Sequence, residues 1–150
     1  MRVSAAVIVN ERDELLLVRK AGTTAFMQPG GKPEPGESPS QTLSRELWEE
    51  LGISVDAEAL RPLGSYTAAA ANEPGFLVVA DVFATDIGAQ QPVIGAEIEE
   101  LRWVTREDAD GLEIAPLARE NFLRAEPRYR GQAAGCVCTS VSKLVALRSR

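Results

Sequence analysis

Histidine is absent from the 150-residue chain. Its absence excludes Ser-His-Asp and Cys-His catalysis, and any metal centre that relies on imidazole. Acid–base chemistry must then come from carboxylates, lysines, tyrosines or activated water. Cysteine is nearly absent too. Only Cys136 and Cys138 occur, one residue apart. Alone they cannot build a four-thiolate zinc site, and a disulfide between them would close a very small loop. They read as reduced thiols of a cytoplasmic protein. Aromatic residues make up 5% of the chain. No apolar run is long enough for a membrane span, and the short run Val3–Val9 reads as a strand, without a signal-peptide cleavage pattern. A broad basic surface is missing as well. The net charge of −6 argues against non-specific binding to nucleic acid or to anionic membranes. A small anionic substrate stays open, provided a cation mediates.

What is present suits one compact domain over residues 1–150. Hydrophobic residues are 45% and charged residues 25%, ordinary for a globular protein. Residues 3–9 and 14–20 are apolar runs around the polar turn Asn10-Glu11-Arg12-Asp13, which predicts an antiparallel hairpin. Residues 21–27 read as a loop. Pro29 to Glu37 holds three glycines and three prolines in nine residues, which excludes regular helix or central strand. Ser38 or Ser40 caps a helix that runs to Leu51, with Gly52 as its stop. Leu43, Leu47 and Leu51 form its buried stripe. Residues 53–67 read as a strand, a turn near Arg61-Pro62 and a second strand. Further strands are expected over 76–84 and 98–104. Short helices are expected over 106–110, capped by Thr105, and from Pro116 to Arg124. Residues 131–135 have a flexible character, and 139–148 could form a last amphipathic helix. Residues 126–150 are otherwise a tail of undetermined role.

One helix carries the chemistry. Glu46, Glu49 and Glu50 stand at i, i+3 and i+4, so they share one face beside the leucine stripe. Like charges at these spacings repel, at about 0.2–0.5 kcal/mol per exposed pair. Arg45 can offset part of this by reaching Glu49 one turn on. Clustered hard oxygen ligands suit Mg²⁺ or Mn²⁺. The alternative is a solvated acidic face. The Pro/Gly-rich loop just upstream favours a site, because it can bring bare backbone up to a ligand.

The pattern is Gly31, five residues, Glu37, seven residues, then Arg45-Glu46-Leu47-Trp48-Glu49-Glu50-Leu51-Gly52-Ile53. It resembles the complete signature of the Nudix hydrolase family. Leu15 to Lys20, Pro29 to Lys32 and Leu101 to Val104 are similar to recurring segments of that family, whereas residues 126–150 resemble nothing in it. The resemblance implies an α/β fold, an α/β/α sandwich around a mixed β-sheet. It implies a metal-dependent hydrolase that cleaves the pyrophosphate bond of a nucleoside di- or triphosphate derivative, with Mg²⁺ or Mn²⁺ as cofactor. Glu46, Glu49 and Glu50 would be the catalytic and metal-binding carboxylates, with Glu46 the first choice for the base. The Gly31 carbonyl and an acid from a late loop would complete the ligands. Glu97 is the first choice for that acid, ahead of Glu99 and Glu100. Glu37 and Arg45 would fix the loop against the helix. Arg19, Lys20 and Lys32 are candidate phosphate contacts.

Substrate marks are sparse. Ala68-Ala69-Ala70-Ala71 stands where ADP-ribose and dinucleoside-polyphosphate hydrolases carry a Pro or Tyr, and the coenzyme A signature is absent. Gln28 replaces the usual apolar residue before Pro29. It reads either as a contact to a polar substrate edge or as a solvent-facing strand end. Phe26, Tyr66, Phe76 and Phe83 could stack on a base, although aromatics on strands mostly belong to cores. Two other readings share the fold: a non-catalytic nucleotide sensor, against which the intact box glutamates count, and a prenyl diphosphate isomerase, which needs a cysteine near the box. The expected partner is a small nucleotide-like diphosphate, and a homodimer stays open because many relatives are dimers.

Overall fold

The computed structural model describes residues 1–95 and 97–123. The expectations for residues 126–150, including Cys136, Cys138 and the helix over 139–148, lie outside the described residues.

Among the described residues, six strands and two helices follow in the order β1 (Arg2–Val7), β2 (Leu15–Lys20), β3 (Gly30–Gly31), α1 (Pro39–Leu51), β4 (Arg61–Ala69), β5 (Leu77–Ala84), β6 (Ile98–Val104) and α2 (Pro116–Asn121). A mixed sheet has the order β3-β1-β5-β4, and β2 pairs with β6 in a second, antiparallel sheet. β1 runs parallel to β5 and antiparallel to the short β3. This is the expected mixed α/β architecture.

Successive side chains on a strand point to opposite faces. Ala5, Val7, Leu15, Leu17 and Val82 therefore pack on one side with Ala118 and Phe122 from the α2 region. Ala6, Ile8, Leu16, Val18 and Phe83 pack on the other with Leu43, Leu47 and Leu51 of α1. Burial on both faces explains why β1 and β2 read as continuous apolar runs and lack polar alternation.

The expected β1–β2 hairpin is corrected. The two strands pair through their backbones only near the turn, through the Val9–Leu15 bridge and the Leu16 N–H donating to the Ile8 carbonyl at 2.9 Å. Beyond it they enter different sheets, because each finds a longer partner, β5 for β1 and β6 for β2. The turn itself forms as read. The Asn10 side-chain oxygen accepts from the Arg12 and Glu14 N–H groups, and Asp13 takes a positive φ of 62°.

The strand expected from residue 53 is also absent. Side chains satisfy that backbone instead. Gln90 bonds both the N–H and the carbonyl of Ser54, and the Ser44 hydroxyl donates to the Val55 carbonyl at 2.6 Å. A 3-10 turn over Ala57–Ala59 precedes β4. The helix expected over 106–110 is a 3-10 turn at Asp108–Gly111, and the Asp108 N–H does donate to the Thr105 hydroxyl.

Candidate active site

Helix α1 is fixed at both ends by its own residues. The Ser38 hydroxyl accepts from the Gln41 N–H while the Gln41 side chain accepts from the Ser38 N–H, a reciprocal capping box. Pro39 opens the helix, and Gly52 closes it with φ 63°. The Ile53 N–H then bonds back to the Leu47 carbonyl, and Ile53 is fully buried. Leu43, Leu47 and Leu51 are buried completely, which sets the rotation of the helix. Glu46, Glu49 and Glu50 are thereby turned toward β3.

Close approach requires the two glycines of β3. A Cβ on Gly30 would collide with the Ser4 carbonyl oxygen of β1. A Cβ on Gly31 would lie 2.5 Å from the Glu46 Oε1. The missing side chain thus leaves the Glu46 carboxylate against bare backbone. Next to it, the Gly30 N–H donates to Glu50 Oε1 at 3.2 Å.

Arg45 joins loop and helix. Its Nε and Nη2 bind both oxygens of Glu37, at 2.7 and 3.0 Å, and Nη2 also donates to the Lys32 carbonyl. Its Nη1 reaches Glu46 and Glu49, each at 3.0 Å. The Glu37 carboxyl is drawn down to about 2 by the Arg45 bonds and by the Glu34 N–H. Desolvation raises Glu46 above its ordinary value. Burial pushes Glu50 up to about 7, against the opposing pull of the Lys20 charge and the Gly30 N–H. A buried carboxylate at such a value lacks a strong cationic partner.

The late loop arrives because it finishes α1. The Val93 N–H donates to the Leu51 carbonyl and the Gly95 N–H to the Glu50 carbonyl, so the loop takes up carbonyls that the helix end leaves open. Gly95 is required there, since a Cβ would sit 2.9 Å from the Glu49 carbonyl oxygen. Glu97 follows, and its own carbonyl accepts from Ala21 at the end of β2.

These residues meet at one cavity of about 640 Å³. Glu46, Glu49, Glu50, Glu97, Gly30, Gly31, Lys20 and Lys32 line it, and Val3, Ala5, Met27, Val78, Ala115 and Leu117 contribute aliphatic wall. Gln28 and Ala69 to Ala71 line it as well.

The structure does not bring every candidate to this cavity. Arg19 lies elsewhere, bonded to the Thr23 carbonyl, Glu99 and Glu100. Neighbours on a strand face opposite ways, so Arg19 and Lys20 cannot both face the site, and Lys20 is the one that does. Glu99 and Glu100 are thereby engaged away from it. Phe26 is buried, with the guanidinium groups of Arg19 and Arg102 at 6.0 and 5.4 Å from its ring centre. Phe83 is buried in the core, Tyr66 packs edge-on against Phe122, and Phe76 is exposed. None of the four lines the cavity. Gln28 is 6% exposed, which removes the solvent-facing reading.

The donor set fits a hard divalent cation. Carboxylate oxygens and a glycine-lined backbone converge on one wall, and Gly31 leaves room that a side chain would fill. Among the described residues, no three acidic side chains stand close enough to grip an ion as they are. Arg45 instead holds Glu46 and Glu49.

The NUDIX domain family matches residues 1–125. The chain belongs to the Nudix family. The MutT protein of Methanosarcina mazei has the same fold, with a TM-score of 0.62 and 30% identity, over 78% of this chain and 85% of that one. A MutT-like protein of Streptomyces ambofaciens is 41% identical over 56 residues, 37% of this chain and 36% of the relative. An 8-oxo-dGTP diphosphatase of Escherichia coli is 38% identical over 58 residues, 36% of this chain and 45% of the relative. The chain thus spans less than half the length of these two curated Nudix relatives.

Proposed function

We propose that this Nudix chain is a divalent-metal-dependent hydrolase that cleaves the pyrophosphate bond of a nucleoside di- or triphosphate derivative. The observation that carries this reading is the shared cavity of Glu46, Glu49, Glu50 and Glu97 with the bare backbone of Gly30 and Gly31. The Escherichia coli relative, named for a nucleotide diphosphatase activity, supports it.

Glu46, Glu49 and Glu50, with the Gly31 carbonyl and Glu97, would hold Mg²⁺ or Mn²⁺. The cation supplies neutralisation of phosphate charge and a lowered pKa for the attacking water. Lys20 and Lys32 add positive charge in the same cavity and orient the phosphates. Glu46 takes the proton of the water as its oxygen attacks phosphorus, while the bond to the bridging oxygen breaks and the second phosphate product leaves. Arg45 and Glu37 keep the loop against α1. Assignment to the cytoplasm rests on Cys136 and Cys138 as reduced thiols.

The test is hydrolysis of a nucleotide panel with Mg²⁺, scored by released phosphate or pyrophosphate. Turnover that falls about 100- to 1,000-fold in Glu49→Gln and Glu50→Gln is expected. Absence of turnover for every member, with Mn²⁺ as well, would refute the hydrolase and favour a sensor.

A further inference from the structure

Among the described residues, strand β4 has a neighbour on one side only, β5, and so forms an edge of its sheet. Its backbone groups alternate in direction. The Ala70 N–H donates to the Phe76 carbonyl, so Ala68 and Tyr66, opposite Val78 and Ala80, also turn their backbone groups toward β5. The far side agrees, because Val79, opposite Thr67, donates its N–H to the Met1 carbonyl and away from β4. The N–H and carbonyl groups of Ser65, Thr67 and Ala69 therefore point out of the sheet. All three residues are exposed, and no side chain or loop among the described residues bonds to those groups. Exposed edges are normally guarded by charge, proline, a bulge or short length. β4 is nine residues long, and the register shift between Pro62 and Gly64 guards only its start. No residue from Pro62 to Asn72 carries a charge, in a chain of which 25% is charged.

We infer that β4 is the surface through which two copies of this chain pair, edge to edge and antiparallel, about Thr67. The edge is complementary to itself. With Thr67 opposite Thr67 of the second copy, Ser65 stands opposite Ala69, and each outward N–H meets an outward carbonyl. The charges at the ends select a second copy over a foreign strand. Arg61 and Glu73 bound the neutral run, each six positions from Thr67. Neither is held in an ion pair among the described residues. Turning one copy end for end therefore brings the Arg61 end of each to the Glu73 end of the other. The net charge of −6 makes two copies repel, and this pairing sets no like charges opposite each other. The interface ends at the cavity wall, because Ala69 to Glu73 also line the cavity. The inference is independent of the hydrolase reading.

The test is sedimentation of the full chain over about 1–500 μM, with amide hydrogen exchange measured at both ends of that range. The mass should double as concentration rises, and the amides of Ser65, Thr67 and Ala69 should gain protection with it. Thr67→Pro removes an N–H that β5 does not use, so the strand ladder survives. It should raise the dissociation constant of the pair at least about tenfold. Arg61→Glu should raise it about two- to tenfold, and adding Glu73→Arg should restore it. A monomer at every concentration would overturn the inference. A dimer of unchanged strength in a folded Thr67→Pro would overturn it too. Protection of the three amides that does not depend on concentration would assign the edge to residues 124–150 of the same chain, and would overturn it without need of any variant.

Discussion

The two faces of helix α1 obey opposite rules. One face, Leu43, Leu47 and Leu51, is wholly buried and sits where hydrophobic burial wants it, each side chain contributing about 1.5–3 kcal/mol. The other, Glu46, Glu49 and Glu50, crowds three carboxylates, one of them 4% exposed and held at about 7. The first face stabilises the fold and the second burdens it. A burden built on such well-capped geometry points to a function for the acidic face.

The comparison can be broken from either side. The largest effect belongs to the leucine face. Leu47→Ala should lower unfolding free energy by about 3–4 kcal/mol in denaturant titration. A loss under about 1 kcal/mol would mean that this stripe does not hold the helix.

Gly31→Ala comes next. The new Cβ meets the Glu46 carboxylate, the flexible end of a side chain, so the fold survives while Glu46 is displaced. Activity should drop about 100-fold with little change in stability. Unchanged kcat would remove Glu46 from the reacting centre.

Glu50→Gln sharpens the contrast through pH. Glu50 titrates at about 7 in the fold and near 4.5 as an ordinary carboxyl. Below 4.5 it is protonated in both states and costs nothing. Between 4.5 and about 7 the unfolded chain releases the proton that the folded state keeps, so stability falls across that range and levels off above it. The chelated variant should therefore equal the unmodified protein at pH 4 and exceed it above pH 7, by on the order of 2 kcal/mol. A variant less stable than its parent at pH 8 would contradict the burden.

The smallest effect separates neighbours. Arg19→Ala should change kcat/KM less than about twofold, because its partners Glu99 and Glu100 also lie away from the cavity. Lys20→Ala should lower it about tenfold through the lost phosphate contact.

The same comparison shows what sequence can reveal. The helix, its caps and both faces were legible because they lie within 23 residues, from Gly31 to Ile53, at fixed spacings, whereas the Arg45–Glu37 clasp came only with the family resemblance. The sheet pairing was not. Strands β1 and β5 meet across about 77 positions of sequence, and local pattern favours the nearer hairpin. The choice of Lys20 over Arg19 depends on which face of β2 meets the cavity, which two adjacent basic residues do not reveal. The need for Gly95 before Glu97, its contact with the last turn of α1, appears only in three dimensions. The aliphatic lining of the cavity is the least legible part. It draws on Val3, Met27, Val78 and Leu117, residues with no common spacing.

The central claim is that the acidic face of α1 exists to hold a cation. Mn²⁺ binding, followed by electron paramagnetic resonance with a non-hydrolysable nucleoside triphosphate present, tests it most directly. The account predicts saturable Mn²⁺ binding that weakens at least about tenfold in Glu50→Gln and is unchanged in Arg19→Ala. Mn²⁺ binding of equal strength in the unmodified protein and in Glu50→Gln would contradict it.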